Sequence, residues 1–276
     1  MAFLELRDIS KNYGPRRVLA NVNLAVEEGE FVSIVGTSAS GKTTLVKIVA
    51  GLVAPDGGSV SVGGQPVAGF PRAASIVFQN YSLLPWLSAL ENVRLAVESA
   101  FPDWPGAKHK EQAVHYLNLV GLGNAQAKRP GQLSGGMRQR VAIARAFAAE
   151  PRVLFLDEPF GALDALTRAT LQQELARLCE AQSPRATVLM ITNSVDEAIL
   201  LSDRILALGR GPAAALSPAA PVTLARPRAA DLLLHDEEAV RVRARVTELL
   251  TSSASQNRAE PRAARQALAS GVPVEV

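Results

Sequence analysis

The residues able to do chemistry in this chain fall in a few short strings. Gly36-Thr37-Ser38-Ala39-Ser40-Gly41-Lys42-Thr43-Thr44 fits G-x-x-x-x-G-K-[ST], a phosphate-binding P-loop. Glycines let such a backbone wrap a phosphate with no Cβ in the way. Its N–H groups and the following helix N-terminus then face the anion. Lys42 would reach the β- and γ-phosphates, and the Thr43 hydroxyl would ligate Mg²⁺. Far along the chain, Asp157-Glu158 closes the apolar run Val153-Leu154-Phe155-Leu156. Four apolar residues and then two carboxylates match a Walker B strand. Asp157 would hold Mg²⁺, and Glu158 would polarise the water attacking a γ-phosphate. Ser134-Gly135-Gly136, before a helical run, offers open backbone N–H groups to a second phosphate contact. Gln79 follows a short strand, where ligands bind in α/β folds.

These strings need particular elements around them, and the flanking residues supply them. Phe31–Val35 reads as a buried strand entering the loop. Leu45–Ala50 reads as a helix leaving it, with Gly51 expected as its C-cap. Ser134 is placed to N-cap the helix over 141–149. Gly161-Ala162-Leu163-Asp164 leads into a helix ending near Glu180. Thr187–Thr192 reads as another buried strand, Asp196-Glu197-Ala198 as the start of a short helix, and Arg204–Leu208 as a last strand.

The N-terminal part alternates. Phe3–Ile9 and Val18–Val26 have period 2, which predicts an antiparallel sheet beside the nucleotide core. Tyr13, in the turn between them, can stack on an adenine ring or simply pack locally. Pro55-Asp56-Gly57-Gly58 reads as a turn, and Ser59–Val62 and Ser75–Phe78 as short strands. Asn80–Leu87 is apolar for a loop, with Tyr81, Leu83, Leu84, Pro85, Trp86 and Leu87. It suits either a partner surface or a satellite core under Leu90–Val97. Phe101–Gly106 is a linker, and Lys108–Val120 has helical periodicity. After Gly209, Ala and Pro dominate to Pro227. Asp236–Leu250 can form a helix, and the composition of Thr251–Val276 predicts disorder.

Bulk properties exclude several classes. The chain has 276 residues, enough for one large α/β domain plus a small appendix. A net charge of +3 is too small to argue nucleic-acid binding. The single cysteine, Cys179, allows no internal disulfide, fits a reducing compartment, and falls in the apolar pattern of Leu171, Leu175 and Leu178. Glu5, Arg7 and Asp8 interrupt any N-terminal signal peptide. No stretch reaches the ~18 apolar residues of a membrane span, so a role at a membrane requires another chain to do the spanning.

Together these motifs resemble the ATP-binding subunits of ABC transporters. The P-loop, Gln79 as the Q-loop, Leu133–Gln139 as the LSGGxxQ signature, Leu156-Asp157-Glu158 as Walker B and Gly161–Asp164 as the D-loop occur in that family's order, over roughly residues 3–210. Within the family, Val77–Trp86, Lys128-Arg129-Pro130-Gly131, Gly211-Pro212-Ala213-Ala214 and Ala225-Arg226-Pro227-Arg228 resemble nitrate members of the nitrate, nitrite, cyanate, taurine and alkanesulfonate importers.

The resemblance implies a P-loop domain over 1–210, with a RecA-like core, an antiparallel β subdomain and an α-helical signature subdomain at about 80–150. Residues 211–276 form the appendix. It implies ATP at Tyr13, Gly36 to Thr44 and Ser134-Gly135-Gly136, with Mg²⁺ at Thr43, Gln79 and Asp157. Glu158, Gln79 and the residue at 193 would act in catalysis. Two such chains would form a head-to-tail dimer, homomeric or heteromeric, with each P-loop facing the other's signature. Closure would drive transmembrane permease subunits docked at Tyr81–Leu87, at the cytoplasmic face of the membrane. A periplasmic or lipid-anchored solute-binding protein would be served indirectly.

There are two departures. Ala39 stands where the family usually has Gly; Ala tolerates most backbone shapes except φ > 0, so a mild effect is expected. Ile191-Thr192-Asn193-Ser194 stands where the family has its ITHD switch histidine. Asn193 can hydrogen-bond a γ-phosphate but carries no charge. Three readings follow: an energising ATPase subunit, a nucleotide-gated subunit with weak hydrolysis working in a heterodimer, or a soluble ABC ATPase of DNA repair or translation. The third usually has two cassettes or a long coiled coil, and this chain has neither.

Overall fold

The computed structural model describes residues 2–209 and 213–256. In chain order the elements are β1 Leu4–Tyr13, β2 Arg16–Val26, β3 Phe31–Val35, α1 Lys42–Val49, β4 Gly57–Val62, β5 Gln65–Pro66, β6 Ala74–Val77, α2 Ala89–Ala100, α3 Gly106–Leu119, α4 Gly135–Ala148, β7 Val153–Asp157, α5 Ala165–Ala181, β8 Thr187–Thr192, α6 Val195–Leu201, β9 Arg204–Ala207, β10 Ala220–Pro221, α7 Leu232–His235 and α8 Glu237–Gln256.

β1, β2, β4 and β5 make an antiparallel sheet in the order β2-β1-β4-β5. The other strands form a second sheet in the order β10-β9-β3-β8-β7-β6. Its pairs β9-β3-β8-β7-β6 are parallel, and β10 joins the edge antiparallel. Strands buried on both faces read as continuous apolar runs, and β3 shows why. Phe31 and Val35 point into one core, and Val32 and Ile34 into the other. The first core is closed by α2, α3 and α4, the second by α1 and the antiparallel sheet.

Register places the chemistry. Val35 pairs with Thr192, Asp157 with Ile191, and Val77 with Leu156. The carboxyl ends of β3, β8, β7 and β6 therefore lie on one edge. The loops beginning at Gly36, Asn193, Glu158 and Phe78 leave that edge side by side. This is the crevice where open parallel sheets bind ligands.

Several expectations shift. The α1 C-cap is Ala50, and Gly51 follows it at φ +69, the left-handed residue one step beyond the cap. β9 is not the last strand, because β10 pairs with it. α8 runs through Gln256, so 251–256, assigned by composition to a disordered tail, are helical. The rest of that tail, 257–276, lies outside the described residues, as do Gly211 and Pro212. Residues 213–256 pack onto the main core, with Ala220, Val222, Ala239, Val242 and Val246 buried in it. Cys179 is buried, and burial pushes its thiol pKa up to about 12.

Candidate functional site

The loop between β3 and α1 curls around the ammonium of Lys42. Lys42 Nζ donates to the carbonyls of Gly36 and Thr37, each at 2.9 Å, and to Asn193 Oδ1 at 2.8 Å. Glu158 Oε1 lies 3.6 Å away. Burial pulls the Lys42 pKa down, while Glu158 and Asp157 oppose that shift. Thr43 Oγ1 donates to Asp157 Oδ1 at 3.2 Å, and Gln79 Nε2 donates to Glu158 Oε2 at 3.3 Å. Burial raises the Asp157 pKa. Lys42, Thr43, Gln79, Asp157, Glu158 and Asn193, spread over more than 150 positions of sequence, thus form one connected polar cluster.

The backbone is shaped for this. Gly41 sits at φ +99, and a Cβ there would meet Val18 Cγ1 at 2.9 Å. A Cβ at Gly36 would meet Ser40 Oγ at 2.8 Å. Glu158, just past the end of β7, takes φ +46, a left-handed conformation uncommon for a non-glycine residue. Ala39 takes φ +63. The expected mildness of Ala at this position is therefore corrected, since the loop demands the one region where Ala is strained.

A cavity of about 420 Å³ lies beside the loop, lined by Tyr13, Ala39 to Thr44 and Glu158, together with Arg16 and Val18. Tyr13 lines the cavity and is 51% exposed, with the Lys11 ammonium 5.7 Å from its ring centre, so both of its readings stay open. Arg16 and Val18 were not picked out from the sequence. The available signal was a basic residue three positions after an exposed-turn tyrosine. Ser40 Oγ is buried without a hydrogen-bond partner. An orphan hydroxyl, a glycine cradle and a buried ammonium fit a phosphate chain. A hydroxyl beside a carboxylate, Thr43 and Asp157, is an all-oxygen donor pair that fits Mg²⁺.

Ser134 caps α4, with its Oγ accepting the Met137 N–H at 3.2 Å. A Cβ on Gly136 would come within 2.5 Å of Thr167 Cγ2 on α5, so any larger residue there must displace Thr167. Ser134, Gly135 and Gly136 do not line the P-loop cavity. Within one chain the structure does not bring the two segments together.

The apolar loop shows features of both its readings. Tyr81 and Leu83 pack against the core, while Trp86 is 64% exposed. Asn92, buried on α2, ties the loop down: its Oδ1 accepts the Leu84 N–H, and its Nδ2 donates to the carbonyls of Leu84, Leu87 and Ser88.

A model of the family described as ABC transporter matches residues 19–161. The bicarbonate transport ATP-binding protein CmpD of Synechocystis sp. is 47% identical over 239 residues, covering 85% of this chain and 84% of the relative. The chain belongs to the ABC transporter family. The nitrate import ATP-binding protein NrtD of Synechococcus elongatus is 44% identical, covering 90% of this chain and 91% of the relative. The nitrate transport protein NasD of Klebsiella oxytoca is 45% identical, covering 82% and 87%. Among solved structures, a dimeric post-hydrolysis state of the ATP-binding cassette MJ0796 bound to ADP and Pi superposes with a TM-score of 0.70 at 31% identity. It covers 80% of this chain and 100% of that one. This ABC chain is accordingly an ATP-binding ATPase with the mixed α/β cassette fold. No helix among the described residues is long and apolar enough to cross a membrane.

Proposed function

We propose that this chain is the ATP-hydrolysing subunit that energises an importer of a small oxyanion, of the size and charge of nitrate or bicarbonate. The relatives named above are transport ATP-binding proteins for those two anions. They do not favour a weakly hydrolysing nucleotide-gated subunit, a repair or translation ATPase, or a taurine or alkanesulfonate importer. One observation carries the mechanism: Lys42, Thr43, Gln79, Asp157, Glu158 and Asn193 meet at one edge of the parallel sheet.

In this reading the loop from Gly36 to Thr44 binds the phosphates and Tyr13 stacks on the adenine. Lys42 exchanges its carbonyl partners for phosphate oxygens. Thr43, Asp157 and Gln79 would hold Mg²⁺, which neutralises charge on the phosphates. Glu158, aimed by its left-handed backbone and by Gln79, takes the proton of the attacking water. Asn193 contacts the γ-phosphate. Ser134, Gly135 and Gly136 serve the site of a second ATP-binding chain, which explains why they stand apart here. Residues 1–210 form the ATP-binding domain, with a helical subdomain at about 80–150, and 211–276 the appendix. Trp86 and its neighbours dock transmembrane permease subunits at the cytoplasmic face of the membrane. A solute-binding protein acts through those permeases.

The test is uptake in cells that carry only this ATPase and its permease. Lys42→Ala is expected to abolish ATP-driven uptake of nitrate or bicarbonate, because it removes the charge on the β- and γ-phosphates. Unimpaired uptake would remove the P-loop from the mechanism. Polar replacement of Leu84 and Trp86 should release the permease and leave ATP binding intact.

A further inference from the structure

Glu197 is a carboxylate, 5% exposed, with no part in the phosphate chemistry above. It lies in the first turn of α6, four positions after Asn193. Thr192 Oγ1 donates to Glu197 Oε2 at 2.5 Å. The same hydroxyl accepts the Ser194 N–H at 3.0 Å, and Ser194 Oγ accepts the Glu197 N–H at 3.3 Å. These bonds brace the chain on both sides of Asn193.

From the opposite side α5 presents Arg168 and Gln172, four residues apart and on one helix face. Gln172 is buried on that face and helps hold the Glu197 pKa down against the upward push of burial. Arg168 Nη2 donates to the Leu163 carbonyl at 2.9 Å, inside the Gly161–Asp164 segment. Arg168 Nε is buried with no hydrogen-bond partner, and Glu197 Oε1 is 3.8 Å from it. A buried donor without an acceptor is unfavourable, so a small shift of this segment that closes the gap is favoured.

We propose that Arg168 and Glu197 are positioning residues for ATP hydrolysis, linking the Gly161–Asp164 segment to Asn193. The proposal rests on the ATPase reading above. When a second copy closes on this chain, movement of the segment draws the guanidinium onto Glu197. The carboxylate, through the Thr192 hydroxyl, then fixes the loop that holds Asn193 against Lys42. Neither Arg168 nor Glu197 touches ATP.

The experiment is steady-state ATPase kinetics on the full chain for Arg168→Ala, Glu197→Gln, Thr192→Val and Thr192→Ser, each alone and combined with Asn193→Ala. The first three should each lower kcat about tenfold and leave KM within about twofold, as expected for an interaction made only in the transition state. Thr192→Ser keeps the hydroxyl and should stay within about twofold of wild type. In the Asn193→Ala background the same substitutions should change kcat by less than about twofold, because groups acting as a unit are not additive. Equal losses with and without Asn193, or KM rising as kcat falls, would overturn the relay. Should Glu197→Gln or Arg168→Ala not fold, Thr192→Val, which loses the hydroxyl, is read against Thr192→Ser, which keeps it, and that pair with and without Asn193→Ala decides the matter. Hydrolysis absent from the wild type would overturn the ATPase reading and the relay with it. Hydrolysis present with multiplicative losses would overturn only the relay.

Discussion

The loop at Gly36–Thr44 and the segment at Ser134–Gly136 both set small residues before a helix, yet only the first meets its chemical partners inside this chain. Around the loop, residues from β6, β7 and β8 converge because the parallel register puts their carboxyl ends level with that of β3. Around Ser134 the structure offers a helix cap and close packing against Thr167, and none of Ser134, Gly135 and Gly136 lines the cavity beside the loop. In the proposed reading the loop is this chain's own site, and the segment serves the site of a second ATP-binding chain. Glycine serves different ends in the two. At Gly41 it permits φ +99, whereas at Gly136 it makes room for a neighbouring helix.

The largest break in the comparison comes from Glu158→Gln. The amide keeps the shape of the loop site and loses the base, so hydrolysis should fall about 1000-fold while ATP binding persists. With hydrolysis stopped, ATP and Mg²⁺ should hold two copies together, each loop against the other's Ser134–Gly136. Gel filtration reads this directly, and a monomer under those conditions would deny the segment its role.

Asn193→His comes next. In the wild type Asn193 Oδ1 accepts a hydrogen bond from Lys42 Nζ, and the amide itself carries no charge. A histidine restores a charge-assisted contact, worth about 2 kcal/mol or roughly 30-fold in kcat. Steady-state rates on the purified chain measure it. No change would mean that Asn193 already does what the histidine does.

Gly136→Ala tests the segment as packing. The new methyl meets Thr167 Cγ2 at 2.5 Å, and overpacking of that kind costs about 1–3 kcal/mol of stability. Adding Thr167→Ser deletes that methyl and should recover most of the loss in a denaturant titration. If the double variant is no more stable than the single one, the contact is not what holds Gly136.

The loop site was legible because its residues carry chemistry in fixed spacing. The strand over Thr187–Thr192 was legible because it is apolar on both faces. What could not be read was how separate strings meet. Residue spacing alone does not say that β8 lies between β3 and β7; only the family resemblance brought residue 193 to the loop, and the strand order shows how Asn193 reaches Lys42. Arg16 at the cavity rim escaped for the same reason, as a side chain whose place is set by the β1–β2 hairpin. α8 outran its expected end because residues 251–256 carry no strong apolar pattern, while the helix before them is anchored by Val242 and Val246. Helix length there follows from tertiary packing more than from local preference.

Ala39 gives the smallest effect and the sharpest test of how the loop is built. Its φ of +63 lies where the Cβ of an L-residue crowds the following carbonyl, at a cost of about 1–2 kcal/mol. Glycine would remove that cost but gain freedom in the unfolded chain, worth about 0.4–1 kcal/mol in the opposite direction. Ala39→Gly should therefore stabilise the chain by about 0.5–1 kcal/mol net. For a domain of this size that raises Tm by about 1–4 °C. Hydrolysis should change by less than about twofold, because the N–H groups of the loop keep their positions. The Ser134–Gly136 segment has no left-handed alanine to relieve, so no matching substitution there gains stability. A lower Tm for Ala39→Gly would show that the left-handed turn is not strained, and that the loop is held by Lys42 and its carbonyl partners more firmly than its own backbone preferences require.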